Sequence, residues 1–405
     1  METMKYNIDK EPVKEETKND KKAERMRLFL SMVPGIGNKT MFLLDTLIED
    51  LKERDNYDGL TDLFREVLNE KQFYSFLKQM QYGKEDFVRK IKYMSDENIH
   101  YLSIHSKDYP WRLKKMADCP YGIYMKGKMM SKNAPSVAII GARQCSEYGK
   151  RCAYEFGRKL SEQGVTIISG MARGVDGYAM RGALEGEGQV YGVLGCSVEN
   201  CYPKENKDLY DAIQEKGGLI SEYPLGTEPE SRLFPARNRI ISGLADIVLV
   251  VEARSRSGTY ITITQALEQG KEIFAVPGRI TDELSKGCNR LIMDGAGVAS
   301  CAEDILDELK LMGWNHLSVF QTSNENCSCD VHLKESEKMT ENSPVIDSLE
   351  EAILSILDDN PKDIDMIMKI TGEKFTFQEL YYVLLKLQLK GKIKQIGSGY
   401  SLTIR

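Results

Sequence analysis

The chain has 405 residues, 41% of them hydrophobic and 29% charged, and a formal net charge of −6. That length exceeds one ordinary core and predicts two or three domains with soluble surfaces. No apolar run of about eighteen residues occurs, so no membrane-spanning helix is expected, and the acidic balance means that any nucleic-acid ligand must be held by a local basic patch.

Residues 1–24 are polar and charged, contain nothing suited to a secretory signal, and are expected to form a disordered tail on a cytoplasmic protein. Residues 25–90 read as a small all-α domain of the SAM or helix-hairpin-helix type. Met26, Phe29 and Leu30 lead into the turn Val33-Pro34-Gly35-Ile36-Gly37, and Met41, Leu44, Leu47 and Ile48 then share one helical face. Glycines in such a turn can offer backbone N–H groups to a DNA phosphate. An ordinary interhelical turn that needs glycine torsions is the more economical reading.

Residues 91–314 alternate short apolar strands with helices. Val137–Ile140, Val165–Ser169, Val190–Leu194, Gly218–Ser221, Asp246–Val251 and Ile273–Val276 are apolar on both faces, which predicts a parallel sheet covered on both sides. The fold class is therefore α/β, a modified Rossmann sheet. Residues 315–344 are polar and read as a linker. Residues 345–405 regain order, with helical patterns at Leu349–Leu357, Ile364–Ile370 and Phe377–Leu387. Two alternating runs around Gly397-Ser398-Gly399 follow, which together is the pattern of a winged helix.

The nine cysteines are scattered, and free thiols are expected for those in apolar contexts, Cys145, Cys152 and Cys196. Cys327, Cys329 and His332 lack a second ligand pair, so no metal site is expected.

Ligands of open α/β sheets bind beyond the carboxyl ends of the strands. Successive strand ends here carry Gly141 and Arg143; Ser169, Gly170 and Arg173; Lys204; Arg237, Asn238 and Arg239; and Ser257-Gly258-Thr259. Glycines let N–H groups approach an anion, and arginines grip phosphate oxygens in bidentate fashion. The alternative is that these arginines pair with Asp176, Glu222 or Glu252 and only hold loops together. The first loop lacks the later glycines of a dinucleotide fingerprint, and the second strand ends in Ser169-Gly170 where a ribose-binding acid belongs. No nucleophile and base are visible, so neither a cofactor nor catalysis is expected.

The motifs Gly141-x-Arg143, Ser169-Gly170-x-Ala172-x-Gly174-x-Asp176, Tyr202-Pro203-x-Glu205-Asn206, Gly226-Thr227, Phe234-Pro235-x-Arg237-Asn238-Arg239, Ser257-Gly258-Thr259-x-Ile261-Thr262, Val276-Pro277-Gly278 and Asn289-x-Leu291-Ile292 occur in that order. Together they resemble the DprA/Smf family of DNA-processing proteins, over at least Tyr101 to Met312. The resemblance implies a non-catalytic homodimer that binds single-stranded DNA and loads RecA recombinase in natural transformation. It places Arg143 and Lys204 on phosphates and pairs the chains through residues 262–299, with Leu267 and Val298 in the interface. Filling the domain's own core is the competing role for those two apolar residues. Met180 and Ile263 depart from the family's usual histidine and alanine.

Two other readings belong to different classes. Phosphoribohydrolases of the lysine-decarboxylase-like group share this fold and use a G-G-x-G-T-x-x-E loop, but Thr262 stands in place of its glutamate and cannot serve as that base. An interaction scaffold would act through the winged helix, whose lysines Lys374, Lys386, Lys390 and Lys392 are offset by acids such as Asp358, Asp359 and Glu379.

Overall fold

The computed structural model describes residues 17–50, 60–255 and 257–315, together with 352–358, 362–371, 380, 383–384, 386–388, 392–396 and 399–402. The chain divides into two units, residues 1–320 and 321–405.

In the first unit five helices come first: α1 (Lys18–Ser31), α2 (Asn38–Asp50), α3 (Leu60–Val67), α4 (Glu70–Tyr82) and α5 (Lys84–Asp96). Helix α1 starts inside the expected disordered tail, because Thr17 and Asp20 form a reciprocal capping box that satisfies two of the helix's free N–H groups. The turn before α2 places Gly35 at φ +88°, a torsion that favours glycine, and the Gly35 carbonyl accepts a hydrogen bond from Gln72 on α4 at 2.8 Å.

The sheet follows: β1 (Ile99–Ser103), α6 (Trp111–Lys114), β2 (Gly122–Gly127), β3 (Ser136–Ile140), α7 (Glu147–Glu162), β4 (Thr166–Ser169), α8 (Val175–Ala183) and β5 (Val190–Val193). It continues with α9 (Lys207–Lys216), β6 (Gly218–Ser221), α10 (Leu233–Leu244), β7 (Ile247–Val250), α11 (Thr259–Glu268), β8 (Glu272–Ala275), α12 (Lys286–Met293), β9 (Gly297–Val298) and α13 (Ala302–Leu311). The nine strands lie in the order β1-β2-β6-β5-β4-β3-β7-β8-β9. From β6 to β9 every pair is parallel, as the doubly apolar runs require. Strands β1 and β2 differ: β1 pairs antiparallel to β2, because only the short α6 segment joins them and no crossover helix intervenes, and β2 pairs antiparallel to β6.

Each face of the sheet buries its own core. On one face Leu30, Leu44 and Phe76 of the helices join Tyr121, Tyr124, Val137 and Ile167 in a single cluster. On the other, Leu113, Ile240, Leu244 and Ile263 pack on Ile140, Ile168 and Val248. Met180 and Ile263, the two family departures, are both buried in these cores. Cys145, Cys152 and Cys196 are free thiols, of which Cys196 is buried.

Arg27 of α1, only 1% exposed, joins the helices to the strands. Its guanidinium donates to the Tyr121 hydroxyl at 2.9 Å, to Glu24 at 2.8 Å, to Asp45 at 3.3 Å and to Glu49. Tyr121 and His105 in turn bond Asp45, the latter at 2.7 Å.

In the second unit, β10 (Lys362–Asp363), α14 (Ile364–Thr371), β11 (Ile393–Ile396) and β12 (Gly399–Leu402) are described. The strands form an antiparallel sheet in the order β10-β12-β11. Ile353, Leu357, Ile367, Leu384, Leu387 and Ile393 share a core. The expected linker beyond Asn315, with Cys327, Cys329 and His332, lies outside the described residues, as do Leu349 and Phe377. Among the described residues no helix is long and apolar enough to cross a membrane.

Candidate nucleic-acid interface

Strands β3 and β7 are neighbours from which the chain runs outward in opposite directions, the switch point where open α/β sheets form a crevice. A cavity of about 610 Å³ opens there. Its walls are the loops after β3, β4 and β7 and the first turns of α10 and α11.

The loop after β3 is held from both sides. Ala142 N–H donates to the Glu252 carbonyl at 2.8 Å, and the Ala142 carbonyl accepts from Val175 at 3.2 Å. Gly174 makes that approach possible: it has φ +75°, and a β-carbon there would fall 2.3 Å from the Ala142 carbonyl oxygen. Gly170 is similar, since a β-carbon would lie 2.8 Å from Asp176 Oδ2, the atom that accepts the Gly170 N–H at 3.0 Å.

The expected site residues fall into distinct places. Arg143, Arg173, Asn238 and Ser257 line the cavity with Gly141. Arg143 is exposed on the rim, its guanidinium 5.9 Å from the centre of the Phe234 ring. Arg173 is also exposed but is engaged by Glu205. Lys204 is exposed and is not among the residues that line the cavity. Ser257 presents a buried hydroxyl with no hydrogen-bond partner among the described residues.

Of the other two arginines, Arg237 also lines the cavity, and both are engaged by neighbouring groups. Arg237 is 3% exposed and donates to the Gly170 carbonyl at 2.9 Å and to the Val193 carbonyl, so it ties together the ends of β4 and β5. Burial lowers it to about 10, with Asp176 acting in the opposite direction, which leaves it charged at neutral pH. The same burial raises Asp176. Arg239 is absent from the lining; its Nη2 donates to both Glu222 carboxylate oxygens at 2.7 and 2.6 Å, and its Nε lies 3.3 Å from Asp118. The pairing with Glu222 weighed from the sequence describes Arg239, whereas Arg237 is held by backbone carbonyls.

Three features were not singled out as site residues from the sequence. Arg254, an exposed lining residue, has no ion pair among the described residues; its position after a strand end was the available signal. Tyr202 and Phe234 both line the cavity with ring centres 5.3 Å apart, and their adjacency could not be read from residues 32 positions apart. The N-terminus of α11 faces the cavity through Ser257, Gly258 and Thr259 and has no side-chain cap, so the helix dipole adds positive potential there. Arg256 lies outside the described residues.

Rim cations, a helix N-terminus and an aromatic wall thus surround one open crevice. Residues 100–310 match the family described as DNA recombination-mediator protein A, and the chain belongs to that family. It is 40% identical over 209 residues to the DNA processing protein DprA of Streptococcus pneumoniae, covering 52% of this chain and 74% of that protein. Protein Smf of Escherichia coli is 33% identical over 323 residues, covering 79% of this chain and 82% of that protein. The X-ray structure of the Streptococcus pneumoniae protein superposes with a TM-score of 0.61 at 32% identity, covering 73% of this chain and 99% of that one.

Proposed function

We propose that the chain is a non-catalytic, cytoplasmic, single-stranded DNA-binding protein that hands its strand to the RecA recombinase during natural transformation. The observation that carries the strand-binding part is the pairing of Arg143 and Arg254 with the Tyr202–Phe234 wall at one crevice. Cations and α11 N–H groups suit phosphates, and rings suit unstacked bases, whose faces are available in single strands and hidden in duplex. Arg173, Lys204, Asn238 and Ser257 extend the contact surface. Family membership supports the recombination role. The N-terminal helices are read as a SAM or helix-hairpin-helix-like domain, and the second unit as a winged helix following a linker over 315–344.

The test is binding of one oligonucleotide as single strand and as duplex across a salt series. Single strands are expected to bind at least tenfold more tightly, with log affinity falling linearly against log salt. Equal affinity for the two forms would remove the reading.

We further propose pairing of two chains through the region from Thr262 to Ala299. Leu267 is 62% and Val298 46% exposed, so neither fills the domain's own core, and both can accept charge without unfolding the unit. A two-fold pair sets the same patch of each chain in contact. Leu267→Arg and Val298→Arg are expected to give folded monomers in light scattering, because unpaired charge in an interface is costly; folded dimers would refute the assignment.

A further inference from the structure

Glu252 stands two residues past the end of β7 and is 2% exposed. Its side chain crosses the switch point to the start of α7. Oε2 accepts the Ser146 N–H at 2.9 Å and Oε1 accepts the Ser146 hydroxyl, while Ser146 Oγ caps the helix by accepting the Gly149 N–H at 3.1 Å. The carboxylate lies so close to the first turn that a β-carbon on Gly149 would be 2.3 Å from Oε2. Helix α7 is 16 residues long, and its N-terminus carries roughly half a positive charge.

In doubly wound folds the helix after the first parallel strand is the one whose N-terminus receives a nucleotide phosphate. Here that strand is β3 and that helix is α7, and the anion at its first turn is the protein's own carboxylate. We propose that Glu252 is a specificity-determining residue: its built-in anion denies the α7 N-terminus to free nucleotides. Phosphates are left with the N-terminus of α11, which has no side-chain cap, and the rim cations Arg143 and Arg254, a spread set of handles suited to a strand backbone. A mononucleotide, which needs one phosphate seat at that helix end, is rejected there by the charge of the carboxylate. Gly149 belongs to the same device, since only a residue without a β-carbon lets the carboxylate sit there.

The inference rests on the strand-binding reading for its functional direction, and its test does not. Full-length wild type, Glu252→Ala and Glu252→Gln are titrated calorimetrically with inorganic phosphate and with AMP, and a single-stranded oligonucleotide is titrated in parallel. Glu252→Ala is expected to bind phosphate and AMP at least tenfold more tightly than wild type. Glu252→Gln, which loses the charge and keeps the bulk, should show a smaller gain. Melting temperatures of both variants should rise with added phosphate while that of wild type stays level. Folded variants with wild-type phosphate affinity overturn the proposal. So does a variant that stays unfolded even in phosphate, because a built-in anion must be replaceable by an external one. Failure of wild type to bind the oligonucleotide would count against strand binding and leave the phosphate gain to be judged separately.

Discussion

Replacing Arg27 with methionine is expected to cost the larger unit about 3–5 kcal/mol of unfolding free energy, the range for breaking a buried charged network by removing one partner. The guanidinium is almost wholly buried and bonds Glu24, Asp45, Glu49 and Tyr121. A methionine fills the volume but leaves three carboxylates without their shared cation. Acid titration provides a second measurement. Burial alone would raise Asp45, yet hydrogen bonds from His105 and Tyr121 and the charges of His105 and Arg27 outweigh it and bring the carboxyl down to about 2. Its folded-state value is thus depressed, so its contribution is fully present above the ordinary aspartate value of about 3.9 and is lost as pH falls through about 2. Urea unfolding between pH 5 and 2 should show a steeper loss for wild type than for Arg27→Met. Matching curves, or equal stability at pH 7, would mean that the network does not join helices to sheet.

The parallel sheet was legible because its strands are short apolar runs separated by helices, and a central parallel strand has few other ways to look in sequence. The antiparallel β1 and β2 were not, since pairing direction depends on the connection and not on strand composition. The beginning of α1 was hidden by its charges: Thr17 and Asp20 are capping residues that also fit a disordered tail. At the site, strand-end position found the right loops but could not rank the arginines within them. Arg237 and Arg239 sit two residues apart on α10, one buried in the cavity lining and the other on Glu222, while Arg143 is exposed on the rim over Phe234. Which of them faces solvent is decided by Gly170, Val193, Asp118 and Glu222, partners at distances in sequence that no local pattern encodes. Glu252 was legible only as a pairing candidate for arginine; its actual partner is the N-terminus of α7.

Arginine position therefore predicts different outcomes for substitutions that look alike in sequence. Arg143→Ala is expected to weaken single-strand binding about ten- to hundredfold, the equivalent of one charge-assisted phosphate bond of about 1.5–3 kcal/mol. Arg254→Ala should behave similarly, and the double variant should flatten the salt dependence by about one unit of slope per arginine removed. Neither side chain has an ion pair among the described residues, and both are exposed, so urea midpoints should stay near wild type. Arg239→Ala is the contrasting case. It strips Glu222 of both its guanidinium bonds, and burial already raises that carboxyl, so stability should fall while the remaining folded protein binds strand normally. Fluorescence anisotropy with a labelled oligonucleotide, read beside the urea midpoints, separates the two effects. Undiminished binding by a well-folded Arg143→Ala, Arg254→Ala double variant would move the strand away from the switch-point crevice. Lost binding in a folded Arg239→Ala would instead extend the contact surface past Glu222, because Arg239 is absent from the cavity lining.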